Sequence, residues 1–408
     1  MSGVVEPKDE TSLVQLVRWA AAEDKPLELL GAGTKRGLGR PVDATLALKL
    51  TGIAGIEDYQ PEELVVTVRA GTRIADLEAT LRQRGQVLPF EPGDWGPLLG
   101  GAAGQATIGG IVGCNLSGPR RVKAGAARDH VLGIKGVSGR GESFKAGGYV
   151  VKNVTGYDLP KLLTGSYGTL AALTEITLKV LPSPEKTRTL LVHGLSDVAA
   201  IGLLCDAAGS PQEVSGLAHL PRAVAARSRV GYVSGAGAAT TAIRVEGPAP
   251  SVAVRLEALK AMASKLGAVE ELHGTNSMTL WAEIGNCSYF ATDAAKQIWR
   301  LSVAPTEGPK VVADIAAAIP DAEFYYDWSG GLVWLALPPS PDARANAVRG
   351  ALRGRDGHAT LVRADAETRR TVPVFQPEPA PLRALSRRVK ESFDPKGVLN
   401  PGRMAARD

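Results

Sequence analysis

Apolar residues recur at helical spacing in Leu13, Leu16, Val17 and Ala20, which predicts an amphipathic helix with Thr11 or Ser12 placed to cap its start. A short apolar run over 27–30 predicts a strand that feeds a loop reading Gly31, Ala32, Gly33, Thr34, Lys35, Arg36, Gly37, Leu38, Gly39. Strands are predicted next over 45–48 and 63–69. Ile74, Leu77 and Leu81 predict a helix over 73–84. A Thr/Ile/Val-rich strand over 173–181, closed by Pro182 and Pro184, ends this first region.

Beyond it the pattern changes. Residues 186 to about 370 mix predicted strands (189–193 and 332–337) with predicted helices (253–266 and 343–352), and proline clusters at 248–250 and 338–341 read as loops. A proline-rich linker at 377–381 precedes a basic helix over 382–392 and a turn-rich tail from Phe393 to Met404. The expected organisation is a first domain over 1–185, a second over 186–372 and a C-terminal arm over 373–408. No internal repeat is visible.

Composition narrows the class. The chain has 408 residues, 44% hydrophobic and 22% charged, with a formal charge of +5, which excludes a disordered or fibrous chain. The basic residues form no block, so nucleic acid is not expected as a partner. Glu6, Lys8, Asp9 and Glu10 stand where a leader would need an apolar core, and the uncharged run 95–119 is too rich in glycine for a membrane span. Cys114, Cys205 and Cys287 are far apart, so a cytoplasmic, reducing compartment is expected, with neither a disulfide framework nor a thiolate metal site.

Glycine is the outlier: 27 of the 47 lie between Gly31 and Gly168, which implies that backbone must come close to something there. The loop 31–39 can turn successive N–H groups inward as an anion nest, with Lys35 and Arg36 adding positive charge. It matches neither the dinucleotide G-x-G-x-x-G nor the P-loop pattern, and a ligand-free glycine turn fits it as well. A second element runs from Gly100 through Thr107, Ile108, Gly109 and Gly110 to Cys114, Asn115 and Gly118. There Thr107 looks like the start of a helix whose N–H groups and dipole favour phosphate, and tight helix packing is the alternative reading. The third runs Val151, Lys152, Asn153, Val154, Thr155, Gly156, Tyr157, Asp158, Leu159, then Gly165, Ser166, Tyr167, Gly168, where a plain helix-to-strand turn is the favoured reading of that turn taken alone.

These three elements, in this order, resemble the FAD-binding domain of the vanillyl-alcohol oxidase/p-cresol methylhydroxylase (PCMH) superfamily. The tail Phe393, Asp394, Pro395, Lys396, Gly397, Val398, Leu399, Asn400, Pro401, Gly402, Arg403 resembles the closing motif of its 2-hydroxy-acid dehydrogenase branch. The whole chain is similar to the FAD-binding subunits of bacterial glycolate oxidases. The resemblance implies an α+β fold: a two-subdomain PCMH-type FAD-binding domain, an α+β cap domain and a C-terminal arm that returns to the FAD domain. By the same resemblance Gly31, Gly33, Thr34, Lys35, Arg36 and Gly37 would wrap the FAD pyrophosphate. Thr107, Ile108, Gly109, Gly110 and Asn115 would flank the diphosphate and isoalloxazine. Gly165, Ser166, Gly168 and Ile176 would surround the adenosine end, and Asn400 would reach the flavin edge. Covalent relatives often carry a histidine in the first loop; Thr34 and Lys35 stand there instead, so noncovalent FAD is expected.

Departures bear on catalysis. Relatives that oxidise lactate or glycolate use histidines near the flavin, some binding metal, and an arginine for the substrate carboxylate. Here His130, His193, His219, His273 and His358 lie at least 26 residues apart, so no metal site is expected and no catalytic residue is assigned. Arg120, Arg121 and Lys123 could bring positive charge to a substrate or a reduced flavin; a solvated loop fits them too. The leading expectation is an electron-relay or supporting flavoprotein subunit of a glycolate-oxidising complex. Its expected partners are a related FAD-containing catalytic subunit that takes glycolate or a similar 2-hydroxy acid, and an iron–sulfur subunit. Membrane contact is expected only through the complex, at the inner face. A stand-alone FAD-dependent 2-hydroxy-acid dehydrogenase and a flavin-free structural subunit are the alternatives.

Overall fold

The computed structural model describes residues 3–148 and 156–406, so Val151 to Thr155 of the third motif lie outside the described residues. The chain forms two compact units: Met1–Leu116, Ala126–Ser183 and Gln376–Asp408 make the first, and Ser117–Gly125 with Pro184–Phe375 the second. The segment Ser117–Gly125, which falls inside the expected 1–185 span, goes with the second unit.

Among the described residues the first unit holds three sheets, one of them the small antiparallel pair of Gln86–Val87 with Leu181–Pro182. Gly3–Val5, Leu46–Lys49 and Leu27–Leu30 pair in parallel, with Leu46–Lys49 in the middle. Ile56–Gln60, Val65–Arg69, Ala171–Lys179, Val131–Ser138 and Ser143–Gly147 form an antiparallel sheet in that order. The helix Glu10–Ala22 buries Leu13, Val17 and Ala20 beside Leu27, Leu48 and the tail residues Val398 and Leu399. Its cap is Asp9, not Thr11 or Ser12. The Asp9 carboxylate accepts from Ser12 N–H at 2.7 Å while Ser12 Oγ accepts from Asp9 N–H, a reciprocal box that moves Ser12 to the third helical position.

The second unit is one eight-stranded sheet, and its topology contains a repeat the sequence does not display. Lys186–His193, helix Asp197–Gly209, Gly216–Leu220, Thr240–Gly247, helix Ala249–Ala263 and Ala268–His273 form a β-α-β-β-α-β unit. Gln297–Val303, helix Gly308–Ala318, Glu323–Asp327, Leu332–Leu337, helix Ala345–Gly350 and Gly357–Arg363 form another with the same strand order. The halves join edge to edge through the single registered pair His219–Tyr326. Asp197 pins that seam: its carboxylate accepts from Tyr326 Oη at 2.9 Å and lies 3.2 Å from His219 Nε2. The proline cluster at 248–250 is not a loop; Pro248 caps the helix Ala249–Ala263 and Pro250 sits in its first turn, where a missing N–H costs nothing. Leu190, Leu217, Ile243, Trp299, Leu301, Val333 and Leu335 pack against the helices as one core.

Candidate functional site

The strand Leu27–Leu30 delivers the chain into the glycine loop, and this loop borders a cleft of about 790 Å³, counted out to its open mouth, that lies wholly within the first unit. Gly33 has φ of +80°, a left-handed turn that glycine takes without strain. Among the described residues, the N–H groups of Gly33, Thr34 and Lys35 donate no internal hydrogen bond, whereas Arg36 N–H and Leu38 N–H close back on Gly33 O and Lys35 O. Three successive amides left to a ligand form an anion nest.

The second element is the short helix Ile108–Gly113, and it corrects one expectation. Its first amides are not available to phosphate: Ile108 N–H donates to Thr72 O at 2.9 Å, Gly109 N–H to Ala70 O at 2.8 Å, and Gly110 N–H to the capping Thr107 Oγ1 at 3.3 Å. Its glycines divide between packing and ligand space. A Cβ on Gly109 would stand 2.7 Å from Ala70 O, so this glycine serves tight packing, whereas Gly113 also borders the cleft and has nothing within 4 Å. Gly31 allows the two elements to meet, since a Cβ there would lie 2.1 Å from Thr107 Oγ1.

The third turn and the tail close the cleft. Gly165 N–H and Tyr167 N–H donate to Val112 O and Gly113 O, the last carbonyls of the short helix. Asn400, with φ of +42°, accepts from Leu29 N–H and donates from Nδ2 to Tyr167 O, both at 2.7 Å, so its amide joins the strand below the glycine loop to the third turn. Arg403 is buried, donates to Arg36 O at 3.0 Å and Leu38 O at 3.2 Å, and pairs with Glu28 at 2.8 Å. Arg36 pairs with the same buried carboxylate at 2.7 Å.

Electrostatics favour an anion. Lys35, Arg36 and Arg403 line the cleft, and Glu28 neutralises only one of the three. Lys35 has no carboxylate within ion-pair distance among the described residues; burial pulls its ammonium below the ordinary lysine pKa, with Cys114 and Asp94 acting the other way. Burial pushes the Cys114 thiol up to about 11, despite Lys35 and Arg403, so it stays protonated near neutrality. Open amides, a net positive frame and side-chain-free walls at Gly33 and Gly113 fit a dinucleotide diphosphate.

Of the residues singled out from sequence, Gly31, Gly33, Thr34, Lys35, Arg36, Thr107, Gly109, Gly110, Gly168 and Asn400 line the cleft. Gly37, Ile108, Asn115, Gly165, Ser166 and Ile176 do not. Ile108 and Ile176 are fully buried in the core. Asn115 accepts from Arg128 N–H, and Gly165 and Ser166 build the turn itself. Sequence reading gave no cofactor role to Tyr167, with φ of +54°, to Ala171 to Leu173 or to Arg403, which line the cleft together with Cys114 of the second element. The small pair Ala171 and Ala172 was the one local signal for this wall; Arg403 gave none, because its partners lie 365 to 375 positions away.

The basic residues after the second element belong to the second unit. Arg120 makes a two-bond contact with Glu246 at 2.8 and 3.0 Å, and Lys123 pairs with Glu213 at 2.9 Å. Arg121 lies 4.4 Å from the ring centre of Trp328, and Arg300 lies 4.9 Å from the same ring. Both arginines, after burial, hold His358 below the ordinary histidine pKa. Among the described residues no three His, Cys, Asp or Glu side chains are grouped to hold a metal ion, and no helix is long and apolar enough to cross a membrane.

Known proteins bear on the family and the fold. A family model described as the FAD binding domain matches residues 1–147. Glycolate oxidase subunit GlcE of Escherichia coli (strain K12) is 35% identical over 400 residues, covering 97% of this chain and 97% of that protein. Glycolate oxidase subunit GlcD of Bacillus subtilis (strain 168) is 31% identical over 189 residues, covering 46% of this chain and 38% of that one. The solved structure of p-cresol methylhydroxylase with substrate bound shares the fold, with a TM-score of 0.71 over 99% of this chain and 88% of its own at 14% identity. With a relative alike over nearly its full length and an FAD binding domain matched on the unit that holds the cleft, the chain belongs to the family of glycolate oxidase subunit GlcE.

Proposed function

We propose that this chain is an FAD-binding subunit of a complex that oxidises glycolate to glyoxylate, and that it relays electrons or supports its partners. The observation that carries the reading is the open run of amides at Gly33, Thr34 and Lys35 within a cleft of net positive charge. Those amides and the Lys35 ammonium would hold the diphosphate of FAD. Arg36, Glu28 and Arg403 would keep the loop in shape, and the wall from Ala171 to Leu173 would exclude water. Bound FAD supplies a two-electron acceptor, and the protein sets its position and potential. The flavin is held noncovalently: no histidine stands in the loop, and the Cys114 thiol is protonated at neutral pH. The reading gives substrate oxidation to a related FAD-containing subunit and electron acceptance to an iron–sulfur subunit. Membrane contact comes only through that complex.

The test is direct. The purified chain should show a flavin spectrum, release all its FAD on acid precipitation, and keep its colour when glycolate is added without partners. Colourless protein that takes up no FAD would reject the reading in favour of a flavin-free structural subunit.

One observation favours a second reading, a stand-alone FAD-dependent 2-hydroxy-acid dehydrogenase. Arg121 and Arg300 both stand over the ring of Trp328, and His358 lies within reach of their charge, a basic grouping suited to attract a carboxylate. Rapid bleaching of the isolated chain by glycolate, lost in Arg300→Gln, would establish this reading in place of the first.

A further inference from the structure

The glycine loop does not support itself. Between Gly31 and Arg40 its internal backbone bonds include two tight turns, Arg36 to Gly33 and Leu38 to Lys35, and Arg40 N–H is taken by Arg403 O at 2.9 Å. One side chain of the tail adds several contacts to the loop. The Arg403 fork donates to Arg36 O and Leu38 O through Nη1 and to the buried Glu28 carboxylate through Nη2. Gly39, with φ of +81°, makes room for this: a Cβ there would stand 2.8 Å from Arg403 Cδ. Glu28 in turn holds Arg36, the residue that follows the open amides. Asn400 fastens the same tail segment to Leu29 and Tyr167 on either side of the cleft.

We infer that Arg403 is a positioning residue for the cofactor: by bridging two loop carbonyls and Glu28 at once it holds the amides of Gly33, Thr34 and Lys35 in the orientation that grips a diphosphate. The inference rests on the FAD reading above. A guanidinium can do this because it is planar and donates from several N–H groups in fixed directions. An ammonium keeps the charge toward Glu28 but cannot hold both carbonyls in plane.

The experiment uses the full chain, stripped of flavin and titrated with FAD and, separately, with ADP, which shares the diphosphate but not the flavin. Arg403→Lys should weaken FAD and ADP by the same factor, about tenfold or more. The melting temperature of the flavin-free protein should stay close to that of the wild type, which separates loss of loop geometry from general loosening. Gly39→Ala attacks the same contact from the loop side and should reproduce the loss, so the test survives if one variant fails to fold. Arg403→Lys and Gly39→Ala binding FAD within about twofold of wild type would overturn the inference alone. A wild-type chain that binds neither FAD nor ADP would overturn the proposed function and this inference with it.

Discussion

The two units of this protein solve opposite problems. The first places glycine where a ligand must approach: 27 of the 47 glycines fall between Gly31 and Gly168, and several of them mark cleft walls or crossings where a Cβ would collide. The second places bulk. Trp281, Trp299, Trp334, Tyr325 and Tyr326 are all fully buried there, and polar groups such as Arg244 and Glu283 are tied into side-chain networks. Binding in one therefore rests on main-chain amides held by remote contacts, and stability in the other on packed side chains. Damage to each should show in a different measurement.

The largest effect expected is on stability. Trp281→Ala removes a buried indole that donates to Thr189 Oγ1 at 2.8 Å and faces Arg244, and should cost roughly 3–5 kcal/mol in denaturant melts with flavin affinity preserved. Gly31→Val should act the other way: its side chain would displace the Thr107 cap, and FAD affinity should fall by more than about a hundredfold. Lys35→Met should weaken FAD about tenfold. An anion should return the burial-lowered Lys35 pKa toward the ordinary lysine value, so FAD binding takes up a proton. Wild-type affinity should then decline as alkaline pH passes the lowered value, and Lys35→Met should abolish that slope. Acid should separate the units. Burial alone would raise the Glu246 pKa, but Arg244 and Arg120 outweigh it and hold it at about 2 against an ordinary 4.5. That contribution is complete above pH 4.5 and disappears as pH falls toward 2, so Glu246→Gln should flatten the acid limb of the second unit's stability curve. The smallest effect tests the boundary of the site: Ile176→Val should cost about 1 kcal/mol of stability and change FAD affinity by less than about twofold.

Local chemistry carried much of the fold in the sequence. Leu27–Leu30 and Leu332–Leu337 are strands with the bounds that their apolar runs imply, and Ile74, Leu77 and Leu81 are the buried face of the helix Ile74–Gln83. The glycine loop was legible because glycine density has few other uses. What failed did so for identifiable reasons. The amides of Ile108 and Gly109 look open in any sequence, and only the tertiary contacts with Thr72 and Ala70 show that they are taken. The repeat in the second unit is a repeat of topology, since different side chains fill equivalent places. Asn400 lines the cleft, yet its amide is occupied by Leu29 and Tyr167. Arg403 drew no notice, although its motif was recognised.

The buried pairing of Glu28 with Arg403 spans 375 positions of chain. A ribosome therefore exposes the whole glycine loop long before the residue that shapes it has been translated. Contacts closed over such distances form late, because the entropy of the intervening chain opposes them. Early polypeptide carrying the loop alone would be a poor sink for cellular flavin, and shortened products that end before the arginine would stay colourless.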